Sequence, residues 1–212
     1  MERLIVRDRD LPTILDSVAA AVFAGGTVII PTDTVYGIAC DPLRSEAIAR
    51  IYALKGRAAA KPLSLHVASV EEALEYVEED RRAVTAIRRL MPGPVTLIVR
   101  RPSFIDEHMT SGLPTMGLRV PDHAVCAEIL ERCGPLAATS ANLSGEPAFA
   151  GGTGSGPLPP ADLLIDDGPT PLGIESTVVD LTAGVPRLLR EGAISKTMLE
   201  RLLGAVEVPS PR

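Results

Sequence analysis

The sequence has 212 residues, of which 46% are hydrophobic, so it can bury a sizeable core. Its formal net charge is -6, from 27 acidic and 21 basic side chains. This charge argues against broad electrostatic attachment to nucleic acid or to an anionic membrane, so any anion site must be local. No stretch reaches about 18 uncharged apolar residues, and the N-terminal MERLIVRDRD has no apolar signal segment, so we expect a cytoplasmic protein.

Cysteine and aromatic content argue against two further classes of site. The cysteines, Cys40, Cys126 and Cys133, are odd in number and lack CxxC spacing, which disfavours a disulfide framework or structural zinc. Cys126 and Cys133 lie two turns apart in a helical pattern, which predicts one buried helix face. With 3% aromatics and no tryptophan, the sequence offers no stacking platform for single-stranded RNA.

Helical and strand patterns alternate through the first half of the chain. Residues 10–24 repeat apolar positions at helical spacing, and Gly25-Gly26 ends this helix before the β-branched strand TVIIPT. A second helix is predicted over Ser45 to Leu54, and the short apolar strand LSLHV follows it. Further helices are predicted around 69–78 and over 80–91, where Pro92 stops the second one.

The alternation continues toward the C-terminal end. Asp122 is predicted to cap a helix that runs through Arg132. Residues 144–160 are rich in Gly, Pro and Ser and predict a flexible loop, since the strands after it are too few to build a separate core. The interleaved pattern predicts a single α/β domain over 1–212 with a mixed, twisted sheet. Strands are predicted over 94–100, 115–120, 134–140, 162–166, 176–181 and 186–190.

The common nucleotide-binding and hydrolase signatures are absent from the sequence. There is no GxxxxGK[ST], no GxGxxG after a strand, no GxSxG and no HExxH. The run Gly151 to Gly154 superficially resembles a phosphate loop, but it has no lysine and no predicted helix after it. A flexible connection is the better interpretation of that run.

Polar residues instead cluster where predicted strands end, which is where α/β sheets usually bind ligands. Thr32, Asp33 and Thr34 follow the first apolar strand; turn chemistry explains Asp33, whereas the clustered hydroxyls favour a functional role. The segment TSANLSG follows the strand PLAA. Its hydroxyl and amide groups can bind an anion or simply cap the next turn.

Lysine and arginine side chains also occur at positions that suggest an anionic partner. Lys55, Arg57 and Lys61 lie within one short segment beside a glycine, which suggests a phosphate or carboxylate ligand; a solvated helix C-terminus explains them equally well. Arg119 lies in an otherwise apolar strand and needs a carboxylate, a phosphate or exposure. His66 lies near the end of the apolar strand LSLHV, where a lone histidine is more often structural than catalytic.

Taken together, these segments resemble the YrdC-like family of TsaC or Sua-type threonylcarbamoyl-AMP synthases. Seven stretches in family order, spread between residues 31 and 195, form a specific signal that covers most of the chain. The resemblance implies a single YrdC-like domain of the short form, without the additional C-terminal domain of longer Sua-type enzymes. It also implies a twisted mixed sheet flanked by helices around a positively charged cavity. The stretches are PTDTVYGIACDP, LKGRAAAKPLSLHV, PGPVTLIV, GLRVPDH, ATSANLSG, STVVDLT and LLREGAIS.

The resemblance further implies which residues line that cavity. The family signature of KxR followed downstream by SxN is present, and Lys55 and Arg57 of that signature are implied to be catalytic. Lys61 stands where many relatives carry a different polar residue. The ATP side is implied to comprise Lys55, Arg57, Lys61, Ser140, Asn142 and Arg190. The L-threonine side is implied to comprise Thr32, His66, Arg119, Thr139 and Ser176.

The activity implied by the resemblance is L-threonylcarbamoyladenylate synthesis from L-threonine, bicarbonate or CO2, and ATP, with release of pyrophosphate. Mg²⁺ is expected to accompany the ATP phosphates, with no confident protein ligand. Downstream transfer proteins would pass the product to tRNA position 37 for the N6-threonylcarbamoyladenosine (t6A) modification.

Three alternatives stay open at the level of sequence. One is a YciO-type paralogue that shares the cavity but has a different or weaker activity. Another is an RNA-binding module, and weak RNA binding by the synthase itself is also allowed. A third is a carbamoyl transferase step of the kind found in hydrogenase-maturation proteins, which carry additional domains.

Overall fold

The computed structural model describes residues 1–8, 10–56, 62–77, 80–152 and 157–209. Six α-helices lie within this part of the chain, namely α1 Leu11–Phe23, α2 Ser45–Lys55, α3 Val70–Glu75, α4 Arg81–Leu90, α5 Ala124–Cys133 and α6 Lys196–Leu203. The strands are β1 Glu2–Ile5, β2 Val28–Ile30, β3 Gly37–Cys40, β4 Ser64–His66, β5 Val95–Arg100, β6 Thr115–Arg119, β7 Leu136–Ser140, β8 Leu163–Asp166, β9 Thr177–Asp180 and β10 Arg187–Arg190.

The strands form one mixed sheet in the order β1-β8-β2-β3-β7-β4-β6-β5-β9-β10. Parallel and antiparallel pairs alternate irregularly: β7 runs antiparallel to both β3 and β4, whereas β4 and β6 are parallel. The predicted α/β class with a mixed twisted sheet is confirmed. No described helix combines the length and the apolar character needed to cross a membrane.

Two strands and one helix were not predicted from the sequence. β1 is a short edge strand, and β3 is buried along its whole length, so neither shows the alternation by which strands are recognised. The third is α6, whose cap is the Ser195 side chain accepting from the Met198 amide. The apolar residues of KTMLERLL recur at helical spacing, so the sequence carried a signal for this helix that the prediction missed.

One predicted helix cap is wrong. We expected Asp122 to cap α5, but the N-cap is His123, whose ring nitrogen accepts from the Cys126 amide. The helix needs an acceptor at the residue directly before its first turn, and Asp122 lies one position too early. The prediction of a buried face is confirmed for Cys126, while Cys133 is half-buried.

The alternation of side chains along β7 separates two hydrophobic cores. Ala137 points into the larger core, which α2, α3, α4 and α6 cover. Leu136 and Ala138 point to the opposite face, which α1 and α5 cover. The core under α1 and α5 takes its strand residues from β1, β8, β2, β3 and β7. No helix in the described ranges packs on this second face over β4, β6, β5 and β9, so that part of the sheet is left open.

The segment after β10 is tied to the start of β9 by one buried threonine. The Thr177 hydroxyl accepts from the amides of Gly192 at 3.0 Å and Ile194 at 2.9 Å, and it donates to the Ile194 carbonyl at 2.7 Å. Gly192 has no room for a side chain, because a Cβ would lie 2.2 Å from the Glu175 carbonyl oxygen. This link fixes β10 relative to β9.

Replacing Thr177 with valine should therefore destabilise the fold. The Thr177→Val side chain keeps the volume but leaves two half-buried amides and one carbonyl without their partner, a cost of about 3 kcal/mol in the free energy of unfolding. Urea denaturation measures this cost. Thr85→Val is the matched control, because the Thr85 hydroxyl makes one exposed bond to the Arg81 carbonyl of its own helix. Equal losses in the two variants would refute this account of Thr177.

Candidate active site

The open part of the sheet forms the floor of a cavity of about 750 Å³. Ala138 of β7 pairs with Ser64 of β4, and Ser64 pairs with Gly117 of β6, so all three share one face. Gly117 in turn pairs with Ile98 of β5. A Cβ on Gly117 would lie 2.6 Å from the Ser64 hydroxyl oxygen, so a larger residue here would force the Ser64 side chain to move. Small side chains along the floor leave the volume free.

The structure brings together every described residue that the sequence placed in the site. Seven chain segments contribute them to the cavity wall: Thr32, Lys55, His66, Arg119, Thr139, Ser140, Asn142, Ser176 and Arg190. The other two predicted residues, Arg57 and Lys61, lie outside the described residues. The roles of all eleven stay predictions.

At one end of the cavity, Lys55 joins the end of α2 to the end of β7. Its side chain is 3% exposed, and its Nζ donates to the Ser140 carbonyl and, at 3.2 Å, to the Asn142 side-chain oxygen. The Ser140 hydroxyl donates to the same Asn142 oxygen at 2.6 Å. The Ser144 amide also donates to the Lys55 carbonyl at 2.9 Å. The cation is therefore held in place by the turn whose hydroxyl and amide groups face the cavity.

The turn after β2 contributes buried hydroxyls. The Thr32 hydroxyl donates to the Val35 carbonyl at 2.6 Å and lies 3.0 Å from the Thr34 hydroxyl. Thr34 is tied in turn to Thr170, whose hydroxyl donates to the Thr34 carbonyl at 2.8 Å. The turn is thus rigid, and Thr32 lies in the cavity wall.

One member of a buried ion pair, Arg119 of β6, lies in the cavity wall. The Arg119 guanidinium donates to Asp33 at 2.6 Å, and both side chains are about 5% exposed. His66 lies beside Arg119 in the parallel register of β4 and β6. Burial, helped by the positive charge of Arg119, lowers the pKa of His66 to about 3, so the imidazole is neutral at physiological pH. Burial likewise lowers the pKa of Arg119, although Asp33 opposes this effect.

In another part of the wall, Arg190 of β10 holds Ser176. Its guanidinium donates to the Ser176 carbonyl at 2.9 and 3.1 Å and to the Ser176 hydroxyl at 3.2 Å. The Ser176 hydroxyl also lies 2.9 Å from that of Thr96. Glu175 pairs with the outer edge of Arg190 at 2.9 Å. The geometry thus presents a guanidinium and two hydroxyls side by side.

The predicted positive charge of the cavity is not established by the described lining. Its cations are Lys55, Arg119 and Arg190. Arg119 is paired with Asp33, and Arg190 is paired with Glu175. A net positive potential therefore stays a prediction that depends in part on Arg57 and Lys61.

Sequence analysis missed several residues in the wall. Ser64, Thr96 and Gly117 line the floor, and Glu175 lines the side. Each of the first three is a small or polar residue inside an apolar strand, in SLH, VTLIVR and TMGLR respectively. That departure was the available signal, because a strand buried on both faces should be apolar throughout.

The first part of the segment predicted to be a flexible loop packs beside the site. Phe149 is buried, and its ring meets that of Tyr36 edge-on with centroids 5.0 Å apart. The Tyr36 amide donates to the Phe149 carbonyl, and the Thr170 amide donates to the Ala150 carbonyl, each at 2.8 Å. Residues 153–156 lie outside the described part of the chain. Flexibility of the loop stays a prediction.

The described wall does not fit a magnesium site held by protein ligands. Within the described ranges, no group of three or more His, Cys, Asp or Glu side chains could hold a metal ion. The carboxylate in the cavity wall, Glu175, is bound to Arg190. The donors of the wall are mainly hydroxyl, amide and cationic groups, which suit an anionic ligand better than a metal.

This chain is similar to curated threonylcarbamoyl-AMP synthases. It is 35% identical to that of Pyrococcus abyssi over 208 residues, covering 96% of this chain and 61% of the relative. It is 34% identical to that of Bacillus subtilis over 199 residues, covering 90% of this chain and 56% of the relative. The chain therefore spans less than two thirds of the length of these two relatives.

Solved structures share the fold. P. abyssi Sua5 complexed with L-threonine superposes with a TM-score of 0.87 at 32% identity, covering 98% of this chain and 62% of that one. Escherichia coli YciO superposes with a TM-score of 0.79, covering 95% of this chain and 98% of that one; at 24% identity it supports the fold alone. The family model for Sua5/YciO/YrdC, described as "Telomere recombination", matches residues 20–192. The chain belongs to the Sua5/YciO/YrdC family.

Proposed function

We propose that this cavity makes threonylcarbamoyl-AMP from ATP, L-threonine and bicarbonate or CO2, and releases pyrophosphate. The observation that carries the proposal is the convergence of nine predicted site residues, from seven segments, on one cavity. The relatives named threonylcarbamoyl-AMP synthase and the Sua5 complex with L-threonine give the cavity its substrates by analogy. The proposed activity therefore rests on both the family and the geometry.

The cavity has two chemically different ends, and we assign one substrate to each. Lys55 offers a cation suited to phosphate oxygens, and the Ser140 hydroxyl and the Asn142 side-chain amide, whose own donors are engaged within the turn, hold it in place. Arg190, Arg57 and Lys61 complete the proposed ATP side. The other end combines a buried guanidinium with hydroxyls, which suits an amino acid that carries a carboxylate and a hydroxyl. Its residues are Thr32, His66, Arg119, Thr139 and Ser176.

The residues assigned to ATP and those assigned to L-threonine come into contact at Arg190 and Ser176. The guanidinium of the ATP side lies 3.2 Å from the hydroxyl of the threonine side. A reaction between bound ATP and bound threonine needs such a junction, because the attacking oxygen and the α-phosphorus must lie within about 3.5 Å of each other. Arg190 is well placed to stabilise negative charge that develops there.

The proposed reaction needs no covalent enzyme intermediate. The threonine amine adds to CO2 and loses a proton to give a carbamate. A carbamate oxygen then attacks the α-phosphorus in line, and the bond to the pyrophosphate oxygen breaks. The protein orients both substrates and stabilises charge on phosphate oxygens, which is the role we give to Lys55 and Arg57. Mg²⁺ would enter with ATP as part of the substrate complex.

The expected downstream partners follow from the product. Threonylcarbamoyl-AMP is an activated acyl adenylate, so a transfer protein must accept it and pass the threonylcarbamoyl group to tRNA for t6A synthesis. A cytoplasmic location fits the use of ATP and tRNA. Weak RNA binding by this chain also stays part of the proposal.

The proposal is tested by the product itself. The purified protein is incubated with ATP, Mg²⁺, L-threonine and labelled bicarbonate, and labelled threonylcarbamoyl-AMP is sought by chromatography. Formation of labelled adenylate with threonine-dependent pyrophosphate release is the expected result. Absence of both would contradict the proposal and favour a YciO-type activity, and salt-sensitive RNA binding without turnover would favour the RNA-binding alternative.

Removing the Lys55 cation should slow adenylation strongly. Lys55→Met keeps the apolar stem but removes the charge, and a lost electrostatic donor of this kind costs about 100-fold in kcat. The rate of threonine-dependent pyrophosphate release measures the effect. Lys196→Met is the matched control, because Lys196 lies on α6, pairs with Glu200 and is absent from the cavity wall. Normal turnover by a folded Lys55→Met variant would remove Lys55 from the mechanism. The same loss is expected for Arg57→Ala.

A neutral His66 should be visible in the pH dependence of stability. Unfolded histidine binds a proton near pH 6.5, whereas folded His66 does so near pH 3. The unfolded state thus binds one more proton between these pH values, so stability falls as the pH drops below 6.5, by about 1.4 kcal/mol per pH unit. Between pH 7 and pH 5, the wild type should lose about 2 kcal/mol more than His66→Gln.

Urea unfolding at the two pH values measures this difference. His108→Gln is the control, because the His108 side chain is 64% exposed and lies outside the cavity. That variant should follow the wild type. A His66→Gln variant with the same pH dependence as the wild type would show that folded His66 titrates like a free histidine.

A further inference from the structure

The Asp33 carboxylate has a partner that the sequence did not suggest. Turn chemistry predicts that an aspartate in this position bonds to a nearby backbone amide. Instead its Oδ1 accepts from Arg119 at 2.6 Å, across 86 positions of sequence. The backbone of Asp33 is fixed separately, since its carbonyl accepts from the Leu172 amide at 3.0 Å. The Asp33 side chain therefore binds Arg119 instead of a backbone amide of the turn.

Some polar atoms of the ion pair and of the neighbouring histidine have no hydrogen-bond partner. Across the described ranges, three buried side-chain polar atoms have no hydrogen-bond partner: Asp33 Oδ2, Arg119 Nε and His66 Nδ1. All three belong to this one corner of the structure, and Arg119 and His66 lie in the cavity wall. A buried polar atom without a partner is costly, so such atoms are rare and call for an explanation. A polar ligand in the cavity would supply partners for Arg119 Nε and His66 Nδ1, which belong to residues of the wall.

We infer that Asp33 is a positioning residue, which holds the Arg119 guanidinium in the orientation that receives the carboxylate of the amino-acid substrate. The inference rests on the proposed function and adds a residue to it. One edge of the guanidinium is occupied by Asp33, so its remaining donors are held in a fixed direction. Asp33 itself is absent from the cavity wall and acts through Arg119.

Electrostatics support the same role. Arg119 is almost fully buried, where an unpaired cation is strongly disfavoured. The negative charge of Asp33 offsets this cost, because one of its carboxylate oxygens contacts the cation. Arg119 can then accept a second carboxylate from the substrate with little reorganisation. Without Asp33 the guanidinium would have to turn toward other acceptors, and its alignment would be lost.

The test is the effect of Asp33→Asn on the KM values of the two substrates. Asparagine keeps the shape but removes the charge, so the KM for L-threonine should rise about tenfold or more, as expected for a misaligned charge-assisted contact. The KM for ATP should change by less than about twofold, because Arg119 is not on the ATP side. Asp33→Glu, which restores the negative charge, should bring the KM for L-threonine part of the way back to the wild-type value.

Asp162→Asn is the matched control. Asp162 also binds an arginine at 2.6 Å, the Arg50 side chain, and it accepts from the Thr27 amide, but it lies outside the cavity wall. That variant should lose stability with both KM values unchanged. A general effect of destabilisation would instead raise both KM values in both variants, and this outcome would overturn the inference.

L-Threoninol, which lacks the carboxylate, makes the test specific. The constant for inhibition by L-threoninol, in competition with L-threonine, should be the same in the wild type and in Asp33→Asn. L-Threoninol has no carboxylate that could bind Arg119. An equal loss of threoninol and threonine binding would overturn the inference, as would an unchanged KM for threonine. A wild type without threonine-dependent turnover would instead refute the proposed function, and this inference with it.

Discussion

The site depends on an asymmetry in how the sheet is covered. On one face, apolar side chains continue from strand to strand, and helices cover them. On the other face, the buried apolar core ends at β7, and beyond it Ser64, Thr96 and Gly117 interrupt the apolar residues, of which Ile98 and Val178 are only half-buried. A helix gains little by packing on such a surface, because there is little apolar area to bury. The open part of the sheet thus follows from the residue types that it carries, and it forms the floor of the cavity.

Rigid contacts around this floor fix the polar groups before any ligand arrives. Lys55 is locked to the turn after β7, and Arg190 is locked to Ser176. Arg119 is locked to Asp33, with a few buried polar atoms still unpaired. Chemistry that relies on orientation and on stabilising charge gains most from groups that need not move during the reaction. In our inference, the unsatisfied atoms are the structural cost of a corner that binds a polar substrate.

The sequence allowed prediction of the α/β class and of most helices and strands, and the described site residues that the motif resemblance implies line one cavity. Those residues stand at strand ends or in polar turns, where local pattern and position agree. It did not reveal Ser64, Thr96 and Gly117, because their importance comes from strand register, which places them side by side across long sequence separations. Asp33 was interpreted as a turn residue for the same reason, since its partner is distant in sequence. The cap of α5 was misplaced by one residue because local signals for helix ends are imprecise.

The most direct test of the whole account is a crystal structure of the protein with L-threonine and a non-hydrolysable ATP analogue. We predict that both ligands occupy the single cavity, with the phosphates within hydrogen-bond distance of Lys55 and Asn142. The threonine carboxylate should contact Arg119, and the α-phosphate should lie beside Arg190 and Ser176. Either ligand bound outside the cavity, or a threonine carboxylate directed away from Arg119, would contradict the account.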